Sequence, residues 1–113
     1  NRKQGNYQIS RNGWIADYND PITFLDMWYT DGGNNDAQYS RAEYDAAIDA
    51  AKATSVPAER MKAMHEAEDI LMKEDNVLCP LYFYTQKYML NDRVDGMYYT
   101  PLGFFYFGNC TEK

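Results

Sequence analysis

The 113 residues suffice for one modest domain with a hydrophobic core and are too few for a protein of two lobes. Seventeen Asp and Glu against eleven Lys and Arg leave a formal net charge of -6, which works against phosphate backbones and anionic lipid and so excludes nucleic acid as the expected partner. No apolar run is long enough to cross a bilayer, and Cys79, Cys110 and His65 are too few donors for a structural zinc site.

Beginning at Asn1 without an initiator Met, the chain reads as a fragment of a longer precursor. Tyr7-Gln8-Ile9-Ser10 alternates apolar and polar residues and predicts a strand. It runs into Arg11-Asn12-Gly13-Trp14, where Gly13 permits a bend or a close backbone approach, so a ligand-facing loop is expected there. Pro21, directly after Asp20, suits the first turn of a short helix through Phe24, Leu25 and Trp28. Asp31 to Asp36 is a polar loop.

Ser40 with Glu43 three residues on makes a capping box, and Tyr44, Ala47, Ile48 and Ala51 recur at helical spacing, which predicts an amphipathic helix over 40–54. A second helix starts near Pro57, sets Met61, Met64, Ala67 and Leu71 on one face and ends at Glu74-Asp75-Asn76. Val77 to Tyr84 is a continuous apolar run that predicts a strand covered on both faces, with Pro80 at an edge or bulge. Asn91 to Gly96 is a turn, and Met97-Tyr98-Tyr99 and Phe104-Phe105-Tyr106-Phe107 are strand segments split by Pro101 and Gly103. Strands flanked by helices in this order give a mixed α/β class. The two cysteines are read as buried thiols, because spacing alone does not establish disulfide geometry.

Eleven Tyr, five Phe and two Trp suit walls that touch a ligand and also hydrogen-bond it, although most of the eighteen are expected in the core. Catalysis has no motif to stand on: there is no nucleophile elbow, HExxH, phosphate loop or dinucleotide fingerprint, and His65 reads as a solvated helix position. The loop from Asp31 lacks the ligand pattern of an EF-hand. The residues themselves lead to the expectation of no cofactor, no metal and no enzyme. From the residues alone, Asp17 is a turn or helix-capping carboxylate ahead of Pro21, a role equally open to Asn19 and Asp20. Trp14 suits either a pocket wall or the core, and Arg11 either a site or a solvated strand end.

The stretch Arg11-Asn12-Gly13-Trp14-Ile15-Ala16-Asp17-Tyr18-Asn19-Asp20-Pro21, preceded by Gly5-Asn6-Tyr7-Gln8-Ile9, resembles the segment of oligopeptide-binding proteins in which a strand delivers a Gly-Trp-x-x-Asp element to the cleft. The similarity continues through Asn35-Asp36-Ala37-Gln38-Tyr39, Glu43-Tyr44-Asp45, a helix and Pro80-Leu81-Tyr82-Phe83-Tyr84, so it covers nearly the whole chain. That family supplies the solute-binding components of bacterial ABC importers, of the family 5 type.

The resemblance implies that residues 1–113 are one fragment of the C-terminal lobe of a two-lobed, periplasmic-binding-protein-like clamshell, with about 97–113 returning toward the N-terminal lobe. It further implies an extended peptide as ligand and the permease subunits of an ABC transporter as partner. The location would be extracytoplasmic, in the periplasm or as a cell-surface lipoprotein, with the membrane reached only through an anchor outside this segment.

Residue by residue, Asp17 matches the carboxylate set against the peptide's free amino terminus, and Trp14 lines the pocket. Ile15, bulkier than the small residues common at that point, pairs with the peptide through its backbone. Tyr84 stands at the cleft end of its strand with Tyr82 turned the other way, and Arg11 aligns with an Arg near the site. The match is loose from Asn91 to Gly108. Two alternatives stand beside the peptide: another solute in the same fold, such as a metal chelate or oligosaccharide, or an aromatic-rich carbohydrate-binding or surface-interaction module.

Overall fold

The structure is a computed structural model and describes residues 2–113. Its organising unit is helical. Helix α1 (Ile22–Leu25) runs into a single 3-10 turn, Asp26–Trp28; α2 covers Ala42–Ala53; α3 covers Pro57–Asp69 and widens into a π turn, Ile70–Glu74. Pro57 sits in the first turn of α3, where a missing N–H costs nothing, as expected.

The apolar faces read from helical spacing are those that meet. Tyr44, Ala47 and Ile48 of α2 pack with Ala67, Leu71, Met27 and Trp28. A second cluster joins Ala51 of α2 and Ala63 and Met64 of α3 to Ile22 of α1. Met61 departs from the expected face and is exposed, as is His65. Tyr44 is fully buried and donates its hydroxyl hydrogen to the Leu25 carbonyl, tying α2 to the end of α1. Burial beside Tyr39 and acidic neighbours pushes the Tyr44 phenol well above its usual range.

The Ser40–Glu43 capping box does not form. Arg41 in extended backbone is the N-cap of α2 and supplies no side-chain cap, so Glu43 falls one position too early in the helix for the box. Ser40 instead hydrogen-bonds the Thr30 hydroxyl at 3.2 Å. Arg41 reaches across to Glu74 and Asp75, each at 2.7 Å, and Tyr39 donates to Asp75 at 2.7 Å, so the chain entering α2 is clamped to the end of the π turn. Inside the loop 31–36, the buried Asn35 amide donates to the carbonyls of Tyr29 and Tyr39 and accepts the Tyr39 N–H, organising the backbone from within.

The strands differ from expectation. Residues 7–10 and 77–84 form no strand: the chain bends at Gln8 and Ile9, 77–84 has no regular secondary structure, and Ile9 is 94% exposed, Leu81 79% and Phe83 100%. A strand exists only through its ladder, and among the described residues neither segment meets a neighbour to pair with. Cys79 lies in the second segment and is exposed, correcting the buried-thiol reading; both cysteines are free and Cys110 is half-buried.

Among the described residues, strand pairing is confined to the C-terminal third. β1 (Val94–Asp95) pairs antiparallel with β4 (Thr111–Glu112), and β2 (Tyr98–Tyr99) with β3 (Phe105–Tyr106). The second ribbon matches the two aromatic segments predicted around Pro101 and Gly103, and its Tyr98 and Tyr106 rings stack at 4.8 Å. Between the ribbons Gly96 has φ +81° and lies so close to the Asn109 carbonyl that a Cβ would stand 2.1 Å from its oxygen, which only glycine allows. The mixed helix and strand content agrees with the α/β class, while the sheet is reduced to two short ribbons. Among the described residues no helix is long and apolar enough to cross a membrane.

Candidate functional site

Residues 11–20 form a loop laid against α1 and flanked by segment 82–87, which has no regular secondary structure. Between them opens a groove of about 740 Å³ whose walls include Arg11, Gly13, Trp14, Ile15, Tyr84 and Lys87. Four of the five residues singled out in the sequence, Arg11, Trp14, Ile15 and Tyr84, therefore converge on one concavity. Asp17 is outside its lining, two residues beyond Ile15.

Local contacts set each of these side chains. Trp14 is half-buried and its indole N–H donates to the Thr23 hydroxyl at 3.3 Å, so one edge of the ring is anchored on α1. Ile15 is 54% exposed, with its main chain outside any strand. Gly13 lies under the Tyr84 ring: a Cβ there would meet ring carbon Cε2 at 2.9 Å and the hydroxyl at 3.1 Å. The close approach expected of this glycine is thus to a tyrosine of the opposite wall.

Arg11 gains the partners that sequence alone did not name. Its Nη2 donates to the Tyr84 hydroxyl at 2.8 Å and to the Tyr82 hydroxyl at 3.4 Å, while the two rings meet edge to face at 5.1 Å. Tyr82 thus shares the face of Tyr84 and is not turned away. In an extended chain residues two apart point the same way, and the opposite orientation belongs to Phe83. The guanidinium, and then the Tyr84 hydroxyl, hold the Tyr82 phenol below its ordinary range.

The capping role left open among three residues falls to Asp20. Its Oδ1 accepts the Ile22 N–H at 2.9 Å, and both oxygens are gripped by Arg60 of α3, at 2.7 and 2.9 Å. Arg60 first, and the Ile22 amide second, depress the Asp20 carboxyl below the usual range. With that role filled, Asp17 is exposed; its main-chain N–H donates to the Thr23 hydroxyl at 3.4 Å, and among the described residues its carboxylate enters no ion pair. An exposed acid beside a fixed backbone retains its full capacity to accept hydrogen bonds from a cation.

Arg60 and Thr23 escape sequence reasoning. Arg60 lies 40 residues from its partner, in a helix with other charges, and Thr23 looks like any small polar residue of a first helical turn. The only available signal was the Asp20-Pro21 start of α1, which calls for a capping oxygen but does not name what holds it. Among the described residues no three His, Cys, Asp or Glu side chains gather as a metal site.

No family model matches the chain. Its sequence is similar to proteins named for binding short peptides. It is 35% identical over 98 residues to the dipeptide-binding protein DppE of Bacillus subtilis, matching 87% of this chain and 18% of that one. It is 33% identical over 108 residues to the oligopeptide-binding protein OppA of the same organism, 95% of this chain and 20% of that one. To the periplasmic oligopeptide-binding protein OppA of Haemophilus influenzae it is 35% identical over 95 residues, 84% of this chain and 17% of that one. The chain belongs to the oligopeptide- and dipeptide-binding proteins. It spans about a fifth of the length of these curated relatives.

Proposed function

We propose that this segment forms part of one wall of the ligand cleft in an extracytoplasmic solute-binding protein that captures extended peptides for an ABC importer. The wall belongs to the C-terminal lobe, residues 97–113 lead back toward the other lobe, and the two lobes hinge shut around the peptide before it passes to the permease. Asp17 accepts the peptide's amino terminus. An ammonium enclosed in a closed cleft loses its hydration and needs an anion with good hydrogen-bond geometry, whereas the rest of the peptide backbone is met by neutral groups.

Ile15 offers its main chain to the peptide as an added strand would, which makes binding tolerant of sequence. Trp14, Arg11 and Tyr84 shape the groove beside it. The observation that carries the reading is the combination of a fixed backbone with an uncommitted carboxylate: Asp20 takes the structural role and leaves Asp17 exposed next to a groove lined by its loop neighbours. The names of the relatives, dipeptide- and oligopeptide-binding, supply the ligand class.

Calorimetry on the full-length protein with a peptide and its N-acetylated counterpart tests this. A preference for the free amino end is the expected result. Equal affinities remove Asp17 from the site, and no heat with either peptide removes the peptide itself.

A further inference from the structure

Thr23 is the second residue of α1 and is 2% exposed. Its hydroxyl oxygen faces two donors from the groove loop, the Trp14 indole N–H at 3.3 Å and the Asp17 main-chain N–H at 3.4 Å. A hydroxyl oxygen carries two lone pairs, so both bonds are accepted at once. Thr23 is itself fixed from the other side: its N–H donates to the Asp20 carbonyl at 3.3 Å, and Asp20 is held by Arg60 of α3. One buried oxygen thus links the helical core to two residues of the loop, three positions apart.

We infer that Thr23 is a positioning residue of the ligand site, setting where the Asp17 carboxylate and the Trp14 ring stand relative to each other. The inference rests on the role proposed for Asp17. Removing the hydroxyl frees both anchors together, since each donor has this oxygen as its acceptor among the described residues. The loop then keeps its attachments at Asp20 and Arg11 and the packing of Trp14 on the core, but loses the hydrogen-bonded anchor that Trp14 and Asp17 share.

The test is calorimetry on the full-length protein with trialanine and N-acetyl-trialanine as probes, using wild type, Thr23→Val and Thr23→Ser. Valine keeps nearly the same shape and removes the acceptor; serine keeps it. The preference for the free amino end falls about tenfold in Thr23→Val, the effect of losing one to two hydrogen bonds, and returns in Thr23→Ser. A Thr23→Val protein that melts earlier yet keeps the full preference overturns the inference, because a purely structural residue behaves that way. Wild type without any preference overturns the role of Asp17 and the inference with it, and this is read before any variant is made. Should Thr23→Val not fold, hydrogen exchange on wild type decides: the Asp17 amide and Trp14 indole hydrogens exchange as slowly as the amides of α1, and exchange at open-chain rates sinks the proposal.

Discussion

Arg60 grips both carboxylate oxygens of Asp20, so a helix of the core holds the last residue of the groove loop by a two-pronged ion pair. The pair makes the loop's attachment dependent on pH. The folded-state value of Asp20 lies below its unfolded value near 3.8, so the stabilisation is complete above that value and disappears as pH falls through the lower, folded one. Asp75, depressed first by Arg41 and then by Tyr39, works in the same direction. Thermal melts of wild type therefore lose midpoint below about pH 4, whereas Asp20→Asn starts lower and declines less steeply. Parallel acid limbs for the two proteins would refute the coupling.

The interface of α2 with its neighbours separates packing from hydrogen bonding. Ile48 is fully buried, and Ile48→Ala costs about 2–5 kcal/mol in urea unfolding. Tyr44→Phe keeps the ring and removes only the bond to the Leu25 carbonyl, so its cost is about 1–3 kcal/mol. A phenylalanine variant as stable as wild type means that water or another donor reaches that carbonyl.

Arg11 bridges two phenols, and the bridge is visible by titration. In Arg11→Met the Tyr82 phenol loses the hydrogen bond and charge that lower it and returns upward toward the ordinary tyrosine value of 10.0. Spectrophotometric titration of tyrosinate absorbance detects this as the loss of one early-titrating ring. An unchanged titration curve shows that the guanidinium does not rest on Tyr82.

In the full-length protein, Asp17→Ala leaves folding intact, because the side chain is exposed and its main-chain bond to Thr23 needs no carboxylate. Peptide affinity drops by about two to four decades, the consequence of leaving an enclosed ammonium without its anion at on the order of 3 to 5 kcal/mol. An affinity unchanged from wild type places the amino terminus elsewhere.

The helical part of the fold was legible because its signal is local. Tyr44, Ala47, Ile48 and Ala51 carry the 3.6-residue period, and the apolar face that they define is the one buried. Pairing of strands is not local, and nothing within Tyr7–Ser10 or Val77–Tyr84 states whether a partner stands beside them. The aromatic ribbon succeeded because Pro101 and Gly103 set two short segments next to each other. Four of the five residues singled out in the sequence line the groove, since the Arg11–Ile15 stretch keeps three of them nearly contiguous and Tyr84 packs on Gly13. The shared face of Tyr82 and Tyr84 was also available from the period of two. Arg60 was not, because an ion pair between residues 40 apart leaves no trace in either neighbourhood.

The two phenols held by one guanidinium act as an alignment key for the segment that bears them. If Val77–Tyr84 pairs with another strand, a slip by a single residue brings Phe83 and Thr85 to the groove side and carries both hydroxyls off Arg11. The misaligned arrangement forfeits a cation's two acceptors and sets a bare ring against it. A stretch with apolar residues on both faces, which hydrophobicity alone seats equally well either way, is thereby given a single preferred frame.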